Sequence, residues 1–211
     1  MSKMPLSDRK IDVTLLAIEM TQQAQHIKRC WSILKQLQQA RQDYPAEIRI
    51  SLGFYRSVYD SLVLSVFIGL GRLYDTDTDT YSLTTLHNLL GTSVEVEQYR
   101  SELKKLSREK KRLSTQADNL RKWRNMKFAH NDMDLAWDTA KLDNAWPMTN
   151  EDIEALIDFA CRYCDFFATV SIGEPITDYL PACTDLENTL QGLQAFSHSE
   201  QSNDKSKLMT Q

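Results

Sequence analysis

Residues Val13 to Gln38 read VTLLAIEMTQQAQHIKRCWSILKQLQ, and Val13, Leu16, Met20, Ala24, Ile27, Trp31 and Leu34 recur in it at steps of three and four. At 100° per residue these side chains share one face, so the spacing predicts a long amphipathic helix over 13–38. Tyr44-Pro45 interrupts it, because a residue before proline avoids the α region while proline suits a first helical turn. From there Ile48, Leu52, Tyr55, Tyr59, Leu62, Val66, Gly69 and Leu73 alternate steps of four and three, predicting a second helix to about Leu73. Its stretch Leu62–Leu70 is apolar nearly all round, which calls for cover on more than one side, by other helices or by another subunit.

The remaining segments follow the same pattern. A short helix is expected at Ser82–Leu90 with Gly91 as C-cap. From about Glu95 to Ala129, the positions Tyr99, Leu103, Leu106, Leu113, Ala117, Leu120 and Lys127 keep a seven-residue repeat whose seam also holds the cations Lys110 and Arg124. Asn131 is the expected end of that helix. Thr149 is a good N-cap for a further helix with core face Ile153, Leu156, Ala160, Cys164 and Phe167. A short helix is expected at Asp185–Phe196. The reading is all-α: an antiparallel four-helix bundle with a short extra helix and an irregular C-terminal tail. The expected organisation is a flexible N-terminus (1–10), one helical domain (11–174), a partly ordered extension (175–196) and a disordered tail (197–211).

Composition agrees with helices. Six glycines and five prolines in 211 residues are too few for the turns of an all-β chain. No 18-residue apolar run is present and Met1–Lys10 has no apolar signal core, so the expectation is a cytoplasmic protein without a membrane span. Cys161 and Cys164 have C-x-x-C spacing, but no second pair and no close histidines complete a zinc set, and both are expected as buried, inert thiols. The tract Asp75–Thr80 alternates acid and threonine without the glycine and closing glutamate of a calcium loop, and is expected as a solvated loop. No metal and no cofactor are expected.

The net charge of −4 hides an asymmetry. Residues 100–127 hold eleven basic against three acidic side chains, a balance of +8, while residues 131–211 stand at −11. Such a basic helix is either a solvated face or a strip for a phosphate backbone. Arg121, Lys122 and Lys127, clustered with Arg124, are the candidate RNA-binding residues.

Leu120-Arg-Lys-Trp-Arg-Asn-Met-Lys-Phe-Ala-His-Asn-Asp132 departs from simple bundle patterning, because Arg124 occupies a seam position and needs an anionic or polar partner. His130 lies six residues on, about 120° round an ideal helix. The two side chains meet if the helix frays at Ala129, or if two copies face each other across a two-fold axis. The chemistry available to such a pair is metal-independent RNA cleavage. A histidine can take the proton of a ribose 2′-hydroxyl or give one to the departing 5′-oxygen, and an arginine can hold the phosphate while Asn125 adds a hydrogen bond.

The block Arg124-Asn-Met-Lys-Phe-Ala-His130 resembles the R-x(4-6)-H motif of the HEPN superfamily. Together with Phe54-Tyr-Arg-Ser-Val-Tyr-Asp-Ser-Leu62 and Gly69-Leu-Gly-Arg-Leu-Tyr-Asp75, it resembles more narrowly the AbiU-type branch associated with abortive infection of phage. The resemblance covers about residues 10–172. It implies a dimeric helical bundle and a toxin-like endoribonuclease, with Arg124 and His130 at the motif positions and Asn125 at its polar position. It also implies RNA as substrate and a nucleotidyltransferase-type antitoxin as partner. The alternative is a non-catalytic interaction module in which Arg124 pairs with Asp60 or Asp75 and His130 caps a helix. Arg124 within reach of an internal carboxylate favours that alternative, and an open basic cleft at a two-fold axis favours the nuclease. Arg72 and Asp75, three apart, are expected to form a local ion pair, and His26, His87 and His198 to be surface groups.

Overall fold

A computed structural model describes residues 12–77, 80–90, 99–129, 143–173, 186–192 and 194–195. Among these residues all regular structure is helical: α1 (Val13–Asp43), α2 (Pro45–Ile50), α3 (Leu52–Leu73), α4 (Leu83–Leu90), α5 (Arg100–Arg112), α6 (Ser114–Trp123), a π-helical turn (Arg124–Ala129), α7 (Asn150–Ile172) and α8 (186–192). Among the described residues the fold is all-α, as expected. Backbone contacts divide the chain into two compact units, residues 1–29 with 64–178 and residues 30–63 with 179–211.

In the first unit, α1 and α3 approach closely where Ile27 lies against Gly69, at which any Cβ would come within 2.8 Å of the isoleucine. α5–α6 and α7 run antiparallel: the Asn119 amide donates to the Pro147 carbonyl, Arg162 pairs with Glu109, and Tyr99 packs edge-on against Phe166. The expected core face of α7 is buried at all five positions, and Phe159 and Tyr163 widen it into an aromatic row. Thr149 starts α7 with a full capping box to Asp152, and Gly173 ends it at φ 89°, a left-handed conformation that only glycine adopts without strain. Tyr74, just past α3, donates its hydroxyl to the Leu156 carbonyl at 2.7 Å and so ties that helix end to α7.

In the second unit, Ala40 and Ile48 pack with Leu190 of α8, flanked by Tyr44, Tyr55 and Leu186. Burying Leu190 contributes about 1.5–3 kcal/mol, which is what holds so short a helix.

Several expectations change. The helix expected from Pro45 to Leu73 is broken at Ser51, where the backbone leaves the α region (φ −127°, ψ 39°). Ser51 and Gly53 favour this break over continuation. On the expected face of its first half Ile48 is buried, whereas Leu52 and Tyr59 are 59% and 37% exposed. The third long helix is broken at Leu113, after the consecutive cations Lys110, Lys111 and Arg112, whose mutual repulsion is eased at a helix C-terminus. It then ends in a π-helical turn rather than as a straight α-helix. The expected caps Gly91 and Asn131 lie outside the described residues. Cys164 is fully buried and burial pushes its thiol up, as expected of an inert cysteine, whereas Cys161 is only half-buried.

Candidate functional site

Arg124 opens the π-helical turn, a widening that recurs at functional sites because it displaces a side chain from the regular spiral. Its guanidinium turns inward onto the end of α3. Nη1 donates to the Gly71 carbonyl at 2.8 Å and to Asp75 Oδ2 at 3.1 Å, and Nε donates to Asn125 Oδ1 at 3.0 Å. Gly71 makes this possible, for a Cβ there would lie 2.4 Å from Arg124 Cδ. The seam cation therefore has its polar partner, and the partner is Asp75. Asp60 pairs with Arg56 instead.

Asp75 is correspondingly not paired with Arg72, and it is not the solvated loop residue that its acid-threonine tract suggests. Partial burial raises the Asp75 carboxyl, but the Asp77 and Thr76 amides and the Arg124 guanidinium outweigh this and hold it below the usual carboxylate range. Both partners are about four-fifths buried, at 18% and 21% exposure, so the pair is screened far less than a surface bridge. Arg124 Nη2 makes no hydrogen bond among the described residues. Two N–H donors on a fixed fork thus remain for a ligand.

The three candidate RNA-binding side chains do not converge. Arg121 donates to Thr76 Oγ1 at 2.7 Å and pairs with Asp118, so it flanks the same loop as Arg124, one residue along. Lys122 lies over the Trp146 ring at 5.6 Å and Lys127 over the Trp123 ring at 5.4 Å. Trp123 donates its indole N–H to the Trp146 carbonyl, which joins the two aromatic platforms. His130 lies outside the described residues.

The sequence reading missed His87. It is half-buried on α4, its Nδ1 hydrogen-bonded to the Tyr163 hydroxyl at 2.7 Å with the rings stacked, and burial together with nearby Lys110 lowers its pKa below the usual histidine value. The seam position of Lys110 was the available signal, because a helix that turns Lys110 inward must bring it against whatever α4 presents. No group of three or more histidine, cysteine, aspartate or glutamate side chains among the described residues is arranged to hold a metal ion. No described helix is long and apolar enough to cross a membrane.

This chain, all-helical among the described residues and with Arg124 largely buried against the end of α3, is a HEPN-class protein. The chain belongs to the HEPN AbiU2 family, whose model matches residues 11–170. No curated protein and no solved structure matches the chain.

Proposed function

We propose that this HEPN domain is a metal-independent endoribonuclease, toxin-like and serving phage defence, that works as a homodimer. One observation carries the proposal: Arg124 is aimed by three fixed acceptors, Gly71 O, Asp75 and Asn125, while its Nη2 makes no hydrogen bond among the described residues. A side chain held this way loses little entropy on binding phosphate and stabilises charge without reorganisation. In this scheme the ribose 2′-oxygen attacks the adjacent phosphorus and the bond to the 5′-oxygen breaks. His130 takes the 2′-hydroxyl proton or protonates the leaving oxygen, and the products are a 2′,3′-cyclic phosphate and a 5′-hydroxyl. Lys122 and Lys127, on their tryptophan platforms, and Arg121 hold neighbouring phosphates. A nucleotidyltransferase-type antitoxin is the proposed neutralising partner.

The second reading, a non-catalytic interaction module, is favoured by the Arg124–Asp75 ion pair itself, which neutralises Arg124 without any ligand. A cleavage assay separates the two. The nuclease reading expects RNA with cyclic-phosphate ends, activity unaffected by EDTA, and loss of activity in Arg124→Ala and His130→Ala proteins that remain folded. Absence of cleavage over a broad RNA panel, or a His130→Ala protein as active as wild type, leaves the interaction module.

A further inference from the structure

Ser107, Lys111, Ser114, Asp118 and Arg121 recur at steps of four and three along α5–α6, and Lys110 lies three after Ser107 and four before Ser114, so they share one face despite the break at Leu113. This polar stripe adjoins the apolar seam and, with Tyr74, Thr76 and Thr84, lines an open cleft of about 310 Å³. Two of its cations have committed to hydroxyls. Lys110 Nζ donates to Thr84 Oγ1 at 3.0 Å, and Arg121 Nη1 donates to Thr76 Oγ1 at 2.7 Å. Because each threonine oxygen already accepts, its own O–H is left to donate outward. The Lys111 ammonium has no ion pair among the described residues, and Asp118, the one acid in the lining, is engaged by Arg121. Lys110 is half-buried, pairs with no carboxylate among the described residues, and lies 6.0 Å from the Tyr163 ring centroid. Burial accordingly lowers its pKa.

Ser107, Ser114 and Tyr74 spend their hydroxyl protons on the Leu103, Lys111 and Leu156 carbonyls, so the donors left in the cleft are Lys110, Lys111 and the hydroxyls of Thr76 and Thr84. The geometry points to a binding site for a phosphate group, held by Lys110, Lys111 and the hydroxyls of Thr76 and Thr84, and separate from Arg124. A phosphate is acceptor-only, carries the charge that the half-buried Lys110 lacks, and has enough oxygens to engage several donors at once. Its source is a free nucleotide or the backbone of an RNA strand. Arg121 and Arg124 contact the consecutive residues Thr76 and Asp75, so a strand with one phosphate at Arg124 runs directly past this cleft. The site does not rest on the cleavage reading, because it is detected by binding alone.

Isothermal titration of the full chain with pyrophosphate, AMP and a six-nucleotide RNA tests it. Saturable binding is expected for at least one probe, weakened about tenfold or more in Lys110→Met and Thr84→Val. Lys105→Met, an exposed cation of the same helix already paired with Glu102, keeps wild-type affinity. Lys110→Met removes a half-buried charge, so its melting temperature without ligand is expected at or above that of wild type, which separates lost binding from lost fold. Binding of pyrophosphate or AMP identifies a free-nucleotide site, and binding of the RNA alone identifies a backbone subsite. No saturable binding of any probe, or equal weakening by Lys105→Met and Lys110→Met, overturns the proposal. Loss of RNA cleavage in Arg124→Ala with pyrophosphate affinity intact separates this site from the catalytic reading.

Discussion

At Gly71 a single missing methyl group decides where Arg124 points. Alanine there removes a helix-interior glycine, a gain of about 1 kcal/mol, but its Cβ meets Arg124 Cδ and forces the guanidinium off Asp75. On the nuclease reading, Gly71→Ala is therefore expected to cost no more than about 2 kcal/mol in urea denaturation while reducing RNA cleavage as severely as Arg124→Ala. A Gly71→Ala protein that cleaves RNA as wild type does would show that Arg124 need not be aimed. Arg124→Ala itself leaves a largely buried carboxylate without its cation, so it is expected to cost about 1–3 kcal/mol. The Asp75 pKa is lower folded than unfolded, so its stabilisation is complete above about pH 4 and is lost as pH falls through the folded value. The stability gap between wild type and Asp75→Asn, measured by denaturant titration, is expected to be about 1–3 kcal/mol at pH 7 and to narrow by pH 3. A gap that does not change with pH would mean that the pair contributes nothing.

Among the elements, α1 and α7 were legible because burial on one face repeats over many turns: Leu16, Met20, Ala24 and Ile27, and likewise Ile153, Leu156, Ala160, Cys164 and Phe167, all lie in the core. The breaks at Ser51 and Leu113 were not, since each interrupts an apolar repeat that continues in register on the far side. The inward turn of Arg124 was legible as a seam violation, but its choice of Asp75 over Asp60 depends on how α3 and the π-helical turn meet. That is tertiary information. His87 was hidden for the same reason, since Tyr163 lies 76 residues away. Its pKa is lower folded than unfolded, because burial and Lys110 oppose its charging. The stability it supports is full above about pH 6.5 and is lost as pH falls through the folded value. Thermal melts are expected to show wild type losing stability from pH 7 to pH 5 more steeply than His87→Gln, and parallel curves would remove His87 from the α4–α7 contact.

For the whole molecule, Ile50, Leu52 and Phe54 are three exposed large apolar side chains within five residues of chain, and a contact with a second copy would bury them. The homodimer reading expects light scattering at twice 24.4 kDa, reverting to monomer in Phe54→Asp. If Arg124 of one copy serves His130 of the other, the two inactive variants differ in a way that a mixture reveals. In a heterodimer of Arg124→Ala with His130→Ala, the intact arginine and the intact histidine come from different chains. They meet at one of the two sites and leave the other with neither. When the variants are mixed in equal amounts and exchange, half of the dimers are heterodimers, so cleavage is expected to return to about a quarter of the wild-type rate. A site built within one chain restores nothing, because each chain then carries its own defect. Recovery in the mixture, with each variant alone inactive, would make the two-fold axis part of the catalytic site; no recovery, with subunit exchange verified, would return the pair to a single chain.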